Sequence, residues 1–172
     1  LHAELRAAQI LAQRALGARG AALRNSLNLV SYNLAGSAYT KAQAVLSLCS
    51  ELGPHCERSA DIVALQETKH KHMMPPAASA GWTSTWAAGY GEHCAVGGVG
   101  LACRSFLSLH KVDLTQLIGR EPYHMRSLQI VAALVAGLDG TIRLAAVSVY
   151  FPPRCNYDIE VCKLASVVSH LL

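Results

Sequence analysis

Four consecutive apolar residues, Ile62-Val63-Ala64-Leu65, are followed at once by Gln66-Glu67-Thr68. A short run with no polar side chain to turn toward water reads as a strand covered on both faces, so the chain has to build a layer above it and a layer below it. The preceding segments supply partners. Apolar alternation begins at Leu27, passes through Leu29 and Val30 to Tyr32, and is broken by Gly36 and Ser37, which predicts a strand. Thr40 to Leu52 then sets Val45, Leu48, Cys49 and Leu52 on one helical stripe, and Gly53-Pro54 stops it. Strand, helix and strand form a crossover unit.

Beyond Glu67 the pattern changes. A polar loop with His70, Lys71 and His72 and a Pro75-Pro76 break lead into two predicted strands, Trp82 to Trp86 and Val96 to Cys103. Met125 to Ala136 and Thr141 to Tyr150 flank Gly137-Leu138-Asp139-Gly140, a composition suited to a tight hairpin. Asn156 to Leu172 reads as a closing helix with Asn156 as cap, Asp158 and Glu160 in the first turn, and Val161, Leu164, Ala165, Val168 and Leu172 expected inward. One crossover unit followed by antiparallel strands predicts an α/β sandwich with a mixed, mostly antiparallel sheet and flanking helices; a single sheet under one helix layer is the alternative. Leu1 to Arg24, rich in Ala, Leu and Arg with Glu4 as its only acid, reads as a helical leader to a domain at 25–172.

Composition narrows the functional classes. At 172 residues and 52% hydrophobic content there is material for one core. The formal net charge of +4 comes without a dense Lys/Arg block, so a polyanionic partner is favoured only weakly. An uninterrupted apolar stretch of about 18 residues is missing, which argues against a membrane span. The six cysteines, Cys49, Cys56, Cys94, Cys103, Cys155 and Cys162, have no Cys-x-x-Cys spacing and are too few for a disulfide scaffold. They are expected to be small buried hydrophobes in a reduced, intracellular protein.

Chemistry-bearing residues gather at strand ends. Glu67 is a carboxylate placed where a buried strand emerges, which suits a hard cation such as Mg²⁺; a solvated loop glutamate is the ordinary alternative. Asn33 offers a donor and an acceptor, fitting a phosphate on one side and metal-bound water on the other, or else a turn before Ala35-Gly36. Tyr150 ends a third apolar run, either to pack or to present its hydroxyl to a phosphate oxygen or an attacking water. Lys69, Arg104, Arg120 and Arg126 are available for phosphates and Trp82, Trp86 and Tyr90 for stacking, with core packing favoured for the tryptophans. His70 and His72 make an His-x-His pair able to take a transition metal, or a basic loop; His93, His110 and His124 lack a motif, and His170 reads as a surface residue. Gly97-Gly98-Val99-Gly100 is not a nucleotide loop, because Leu101-Ala102-Cys103 continues as strand and not as helix; its glycines instead permit close backbone approach.

The strings LNLVSYNLAG, ADIVALQETK, GGVGLACRS and LAAVSVYFPP, in this order, resemble the endonuclease/exonuclease/phosphatase superfamily. Within it they are most similar to the apurinic-type endonuclease domain of non-LTR retrotransposons. The resemblance spans Leu27 to Leu172 and implies the N-terminal half of a DNase I-like, four-layered α/β sandwich whose second sheet would be completed by a C-terminal half. It implies a Mg²⁺-dependent phosphodiesterase, with Mn²⁺ as a substitute ion, that nicks DNA. It assigns Glu67 and Asn33 to the metal, and Asn33, Glu67 and Tyr150 to the active site. The family's Asp-x-Asn and Asp-His strings are not found within Leu1–Leu172, which leaves the catalytic set incomplete as given. An enzyme of the same fold acting on RNA, inositol phosphate or phospholipid, and a non-catalytic remnant, are the other readings. The place of action is expected to be intracellular, the nucleus among the options.

Overall fold

A computed structural model describes residues 27–35, 38–51, 60–69, 81–89, 96–118 and 128–172. The leader 1–24, His70, His72, Tyr90, His93, Arg120, His124 and Arg126 lie outside them. In chain order the elements are β1 (Leu29–Asn33), α1 (Ala38–Glu51), β2 (Ile62–Gln66), β3 (Trp82–Ala87), β4 (Val99–Arg104), β5 (Leu107–Lys111), α2 (Thr115–Ile118), β6 (Gln129–Gly137), β7 (Ile142–Tyr150) and α3 (Tyr157–Leu171).

Among the described residues the strands form two sheets, β1-β2-β4-β3 and β5-β6-β7, in which only β1 and β2 run parallel. That single parallel pair is the crossover unit through α1. Side-chain alternation then divides β2 between two cores. Ile62 and Ala64 meet Leu101, Cys103, Val131, Val135 and Ala146 between the sheets, while Val63 and Leu65 meet Leu46, Cys49, Trp82 and Trp86 under α1. A third cluster packs Leu164, Val167 and Leu171 of α3 on Ile130 and Ala132 of β6. The layers are helix, sheet, sheet, helix, a four-layered α/β sandwich.

This corrects two expectations. The single-sheet alternative fails, and the chain supplies more than one wall of the sandwich, because β5, β6 and β7 form strands of a second sheet. Two elements escaped sequence reading: the short α2, and β5, which follows β4 after only Ser105-Phe106. Leu107-Ser108-Leu109 continues the apolar alternation of β4, so the sequence carries no break strong enough to signal a change of sheet. Phe106, buried at the corner, joins the inter-sheet core.

Helix faces also differ from expectation. In α1, Ala42, Leu46 and Cys49 are buried and Leu48 is exposed. In α3, Val161, Ala165, Val168 and Leu172 point outward, and the inward line is Glu160, Leu164, Val167 and Leu171. The cause is Glu160. Its Oε2 accepts the Leu128 N–H at 2.7 Å and its Oε1 takes Lys163 Nζ at 2.9 Å, which turns the helix to bury a carboxylate that hydropathy places in water. Asn156 caps the helix as expected, accepting from the Ile159 N–H at 3.5 Å.

Of the described cysteines, Cys49, Cys103 and Cys155 are buried and Cys162 is exposed. Burial pushes the Cys103 thiol up to about 11 from 9.0, with a hydrogen bond between it and the Thr83 hydroxyl pulling the other way. A raised folded pKa gives stability that is complete below the unfolded value and is lost as pH climbs through the folded one. Denaturation midpoints are therefore expected to fall between pH 9 and about 11, and a Cys103→Ala variant to lose that part of the fall. An identical alkaline profile in the variant would refute it.

Candidate active site

Site geometry begins with an irregularity where β2 ends. Gln66 stands opposite Val99, but the Thr68 N–H, two residues on, donates to Gly98 O, one residue back from Val99, and the Lys69 N–H donates to Gly97 O at 2.7 Å. Glu67 is thus the extra residue of a bulge, and it has the left-handed φ of +52° that such bulges use. Lys69 repeats it at +51°. For a residue with a Cβ this conformation costs about 1–2 kcal/mol. Its effect is to swing the Glu67 carboxylate out of the strand's alternation and toward β1.

There it meets Asn33. The Nδ2 of Asn33 donates to Glu67 Oε1 at 3.1 Å, and its Oδ1 accepts the Ala35 N–H at 2.9 Å, so both ends of the carboxamide are fixed. Because a backbone N–H can only donate, this also fixes which end of the amide faces the carboxylate. The Leu34 N–H donates to Gln66 O at 2.9 Å and keeps the β1 end beside the β2 end. Asn33 is exposed and Glu67 half-buried, leaving the pair open at the rim of the sandwich.

Tyr150 comes from the other sheet. It is half-buried, packs against the inter-sheet core, and stands opposite Gln129 in the β6–β7 ladder. Two residues back on the same face, Ser148 Oγ donates to Leu65 O at 3.0 Å and accepts from Gln66 Nε2 at 3.2 Å. Gln129 crosses as well: its Oε1 accepts the Gly98 N–H and its Nε2 reaches Val96 O at 3.5 Å. The fold therefore brings Asn33, Glu67 and the Tyr150 strand end to one rim, Asn33 and Glu67 in direct contact and Tyr150 on the opposing wall. Ser148 and Gln129 were missed by sequence reading. The available signal was a polar residue set inside otherwise apolar runs, since Gln129 is fully buried and Ser148 nearly so.

Glycine is required opposite the bulge. A Cβ on Gly97 would fall 2.3 Å from the Gln129 carboxamide and one on Gly98 2.4 Å from Thr68 Oγ1. This is the close approach expected of that glycine run. Thr68 itself is fully buried, and its hydroxyl has no hydrogen-bond partner among the described residues.

Other expected contacts are elsewhere. Arg104 donates from Nε to Ala60 O at 3.1 Å and from Nη2 to Cys49 O, and its guanidinium lies 4.6 Å over the Trp82 ring. Those partners are at the opposite end of β2 from Glu67, so Arg104 clamps α1 to the sheet and does not face phosphate. Trp82 and Trp86 are buried under α1 and are core residues. Lys69 is exposed beside Glu67 and remains available to an anion. His110 and His170 are exposed and away from the pair.

The donor set fits a hard divalent cation. One carboxylate oxygen of Glu67 is taken by Asn33 and the other is free of protein partners among the described residues. Mg²⁺ is commonly held by one or two carboxylates, its remaining positions filled by water and substrate phosphate. Among the described residues there is no group of three His, Cys, Asp or Glu side chains, the arrangement a softer metal would need.

Two packed sheets between helix layers, with an asparagine–glutamate pair at the strand-end rim, define the DNase I-like class of α/β sandwich. The model of the endonuclease/exonuclease/phosphatase family matches residues 30–158, three-quarters of the chain, and the protein belongs to that family. Comparison with curated proteins and with solved structures gave no match. The family consists of phosphodiesterase- and nuclease-type hydrolases, generally dependent on a divalent metal, that act on nucleic acids or other phosphoesters.

Proposed function

We propose that the protein is the Mg²⁺-dependent phosphodiesterase domain of a DNA-nicking endonuclease of mobile-element origin. The observation that carries the catalytic part is the 3.1 Å contact between Asn33 and Glu67, one side chain from each of two parallel strands. The DNA and mobile-element assignments rest on the resemblance of the Gln66-Glu67-Thr68 and Tyr150-Phe151-Pro152 strings, with Mn²⁺ an alternative ion and an intracellular place of action, the nucleus among the options.

Glu67 would hold the cation through its free oxygen. When bound, such an ion polarises a phosphoryl oxygen and stabilises the departing one. Asn33 has a second Nδ2 proton, aimed away from Glu67, to donate to a non-bridging phosphate oxygen, and its tether to Ala35 holds that proton in place before substrate arrives. Tyr150 ends its strand in the second sheet, opposite Gln129, and its hydroxyl would be the group to bond another phosphate oxygen or orient the attacking water. Lys69 adds a positive charge at the edge, where it steers an anion without desolvation.

Supercoiled plasmid incubated with the 172-residue chain should become nicked in Mg²⁺ or Mn²⁺, slowly because the family's Asp-x-Asn and Asp-His strings are not within it, and stay intact in EDTA. Hydrolysis of inositol phosphates or phospholipid head groups with no nicking would move the substrate to the same fold's small phosphoesters. Nicking unaffected by EDTA would end the metal-dependent reading.

A further inference from the structure

We infer that the second sheet holds Glu67 in its left-handed conformation through two polar side chains, Ser148 and Gln129, which are positioning residues for the metal-binding carboxylate. The last clause rests on the function proposed above; the conformational claim stands on geometry alone.

A strained backbone persists only where its surroundings over-determine it. Around Glu67 the determinants lie on both sides in sequence. Before it, Ser148 Oγ grips Leu65 O and Gln66 Nε2, and Gln66 Oε1 in turn accepts from Ser31 Oγ at 3.3 Å, so a relay runs from β7 through β2 to β1, two residues from Asn33 on the same face. After it, Thr68 and Lys69 hang by their N–H groups from Gly98 and Gly97, and that glycine pair is fixed by the Gln129 carboxamide, which takes the Gly98 N–H and lies against Gly97. Both side chains are polar groups in an otherwise apolar interface. Their bonds go to the first sheet and not to their own, and they bracket the one left-handed glutamate in the site. Burying a hydroxyl and a carboxamide in an inter-sheet core is costly unless each bond is made, so the interface can close only in the register that completes them.

The test compares Ser148→Ala and Gln129→Met with the unsubstituted chain, by amide hydrogen exchange without metal and by Mn²⁺ binding from the EPR signal of the free ion. Exchange at the Thr68 and Lys69 amides should accelerate about 10-fold or more in each variant while amides in the centre of β6, such as Ala133, keep their rates. Mn²⁺ affinity should fall about 10–100-fold, the range seen when partners behind a metal ligand are removed. Unchanged exchange at Thr68 and Lys69, or equal acceleration at Ala133, would overturn the positioning claim, the second because it reports general destabilisation. Should the unsubstituted chain bind no Mn²⁺, the metal reading fails and the exchange data alone decide whether Ser148 and Gln129 hold the bulge.

Discussion

Replacing Glu67 by glycine is expected to abolish metal-dependent cleavage while making the chain more stable. Glycine adopts the +52° φ at no steric cost, so the substitution should return about 1 kcal/mol of backbone strain, read as a higher denaturation midpoint. Little stability is lost with the carboxylate, because its partner Asn33 is exposed and keeps its bond to the Ala35 N–H. Activity is another matter. Removing the ligand that positions the cation forfeits several kcal/mol of transition-state stabilisation, about 10³-fold or more in rate. Glu67→Gln separates the two effects: it retains the strain and the shape and loses the charge, so it should be as inactive as the glycine variant without its gain in stability. A destabilised Glu67→Gly chain would mean that the glutamate is structural cement. Nicking at the unsubstituted rate in both variants would show that the cleavage comes from a contaminant, and the catalytic claim would be withdrawn.

Gly98→Ala is expected to have the largest effect on stability, about 3 kcal/mol, summing a left-handed φ and an overpacked contact. At Gly98 φ is +85°, and the added Cβ would lie 2.4 Å from Thr68 Oγ1, 3.2 Å from Gly89 N and 3.4 Å from Lys69 N. Two of those three atoms are backbone and cannot swing away. The Thr68 hydroxyl can be removed at small cost, since it has no hydrogen bond to lose among the described residues. A Gly98→Ala/Thr68→Ala chain should therefore recover part of the loss, leaving the share due to φ and backbone contact. Urea denaturation of the two variants measures both shares. No recovery in the double variant would place the whole penalty on the backbone, and a loss under about 1 kcal/mol in the single variant would show that the loop relaxes freely.

The sequence was informative where local pattern and burial agree. Ile62 to Leu65 is buried on both faces as an unbroken apolar run requires, and the Gly137–Gly140 hairpin joins two strands as its turn residues dictate. It misled on α3, where hydropathy sets Glu160 outside and Val161 inside, because a buried charge is favourable only if partners such as the Leu128 N–H are waiting.

From the chain alone followed the fold class, the crossover unit, the family strings, and Asn33, Glu67 and Tyr150 as the residues to watch. Those are properties of periodicity, turn chemistry and residue type, which neighbouring residues fix. Only the tertiary structure decided that β5 leaves one sheet for another, that Glu67 bulges out of its strand to meet Asn33, and that Ser148 and Gln129 cross the core beside it. Each of those contacts joins residues some thirty to eighty positions apart. Their partners are set by how two sheets pack, and no local signal carries that information.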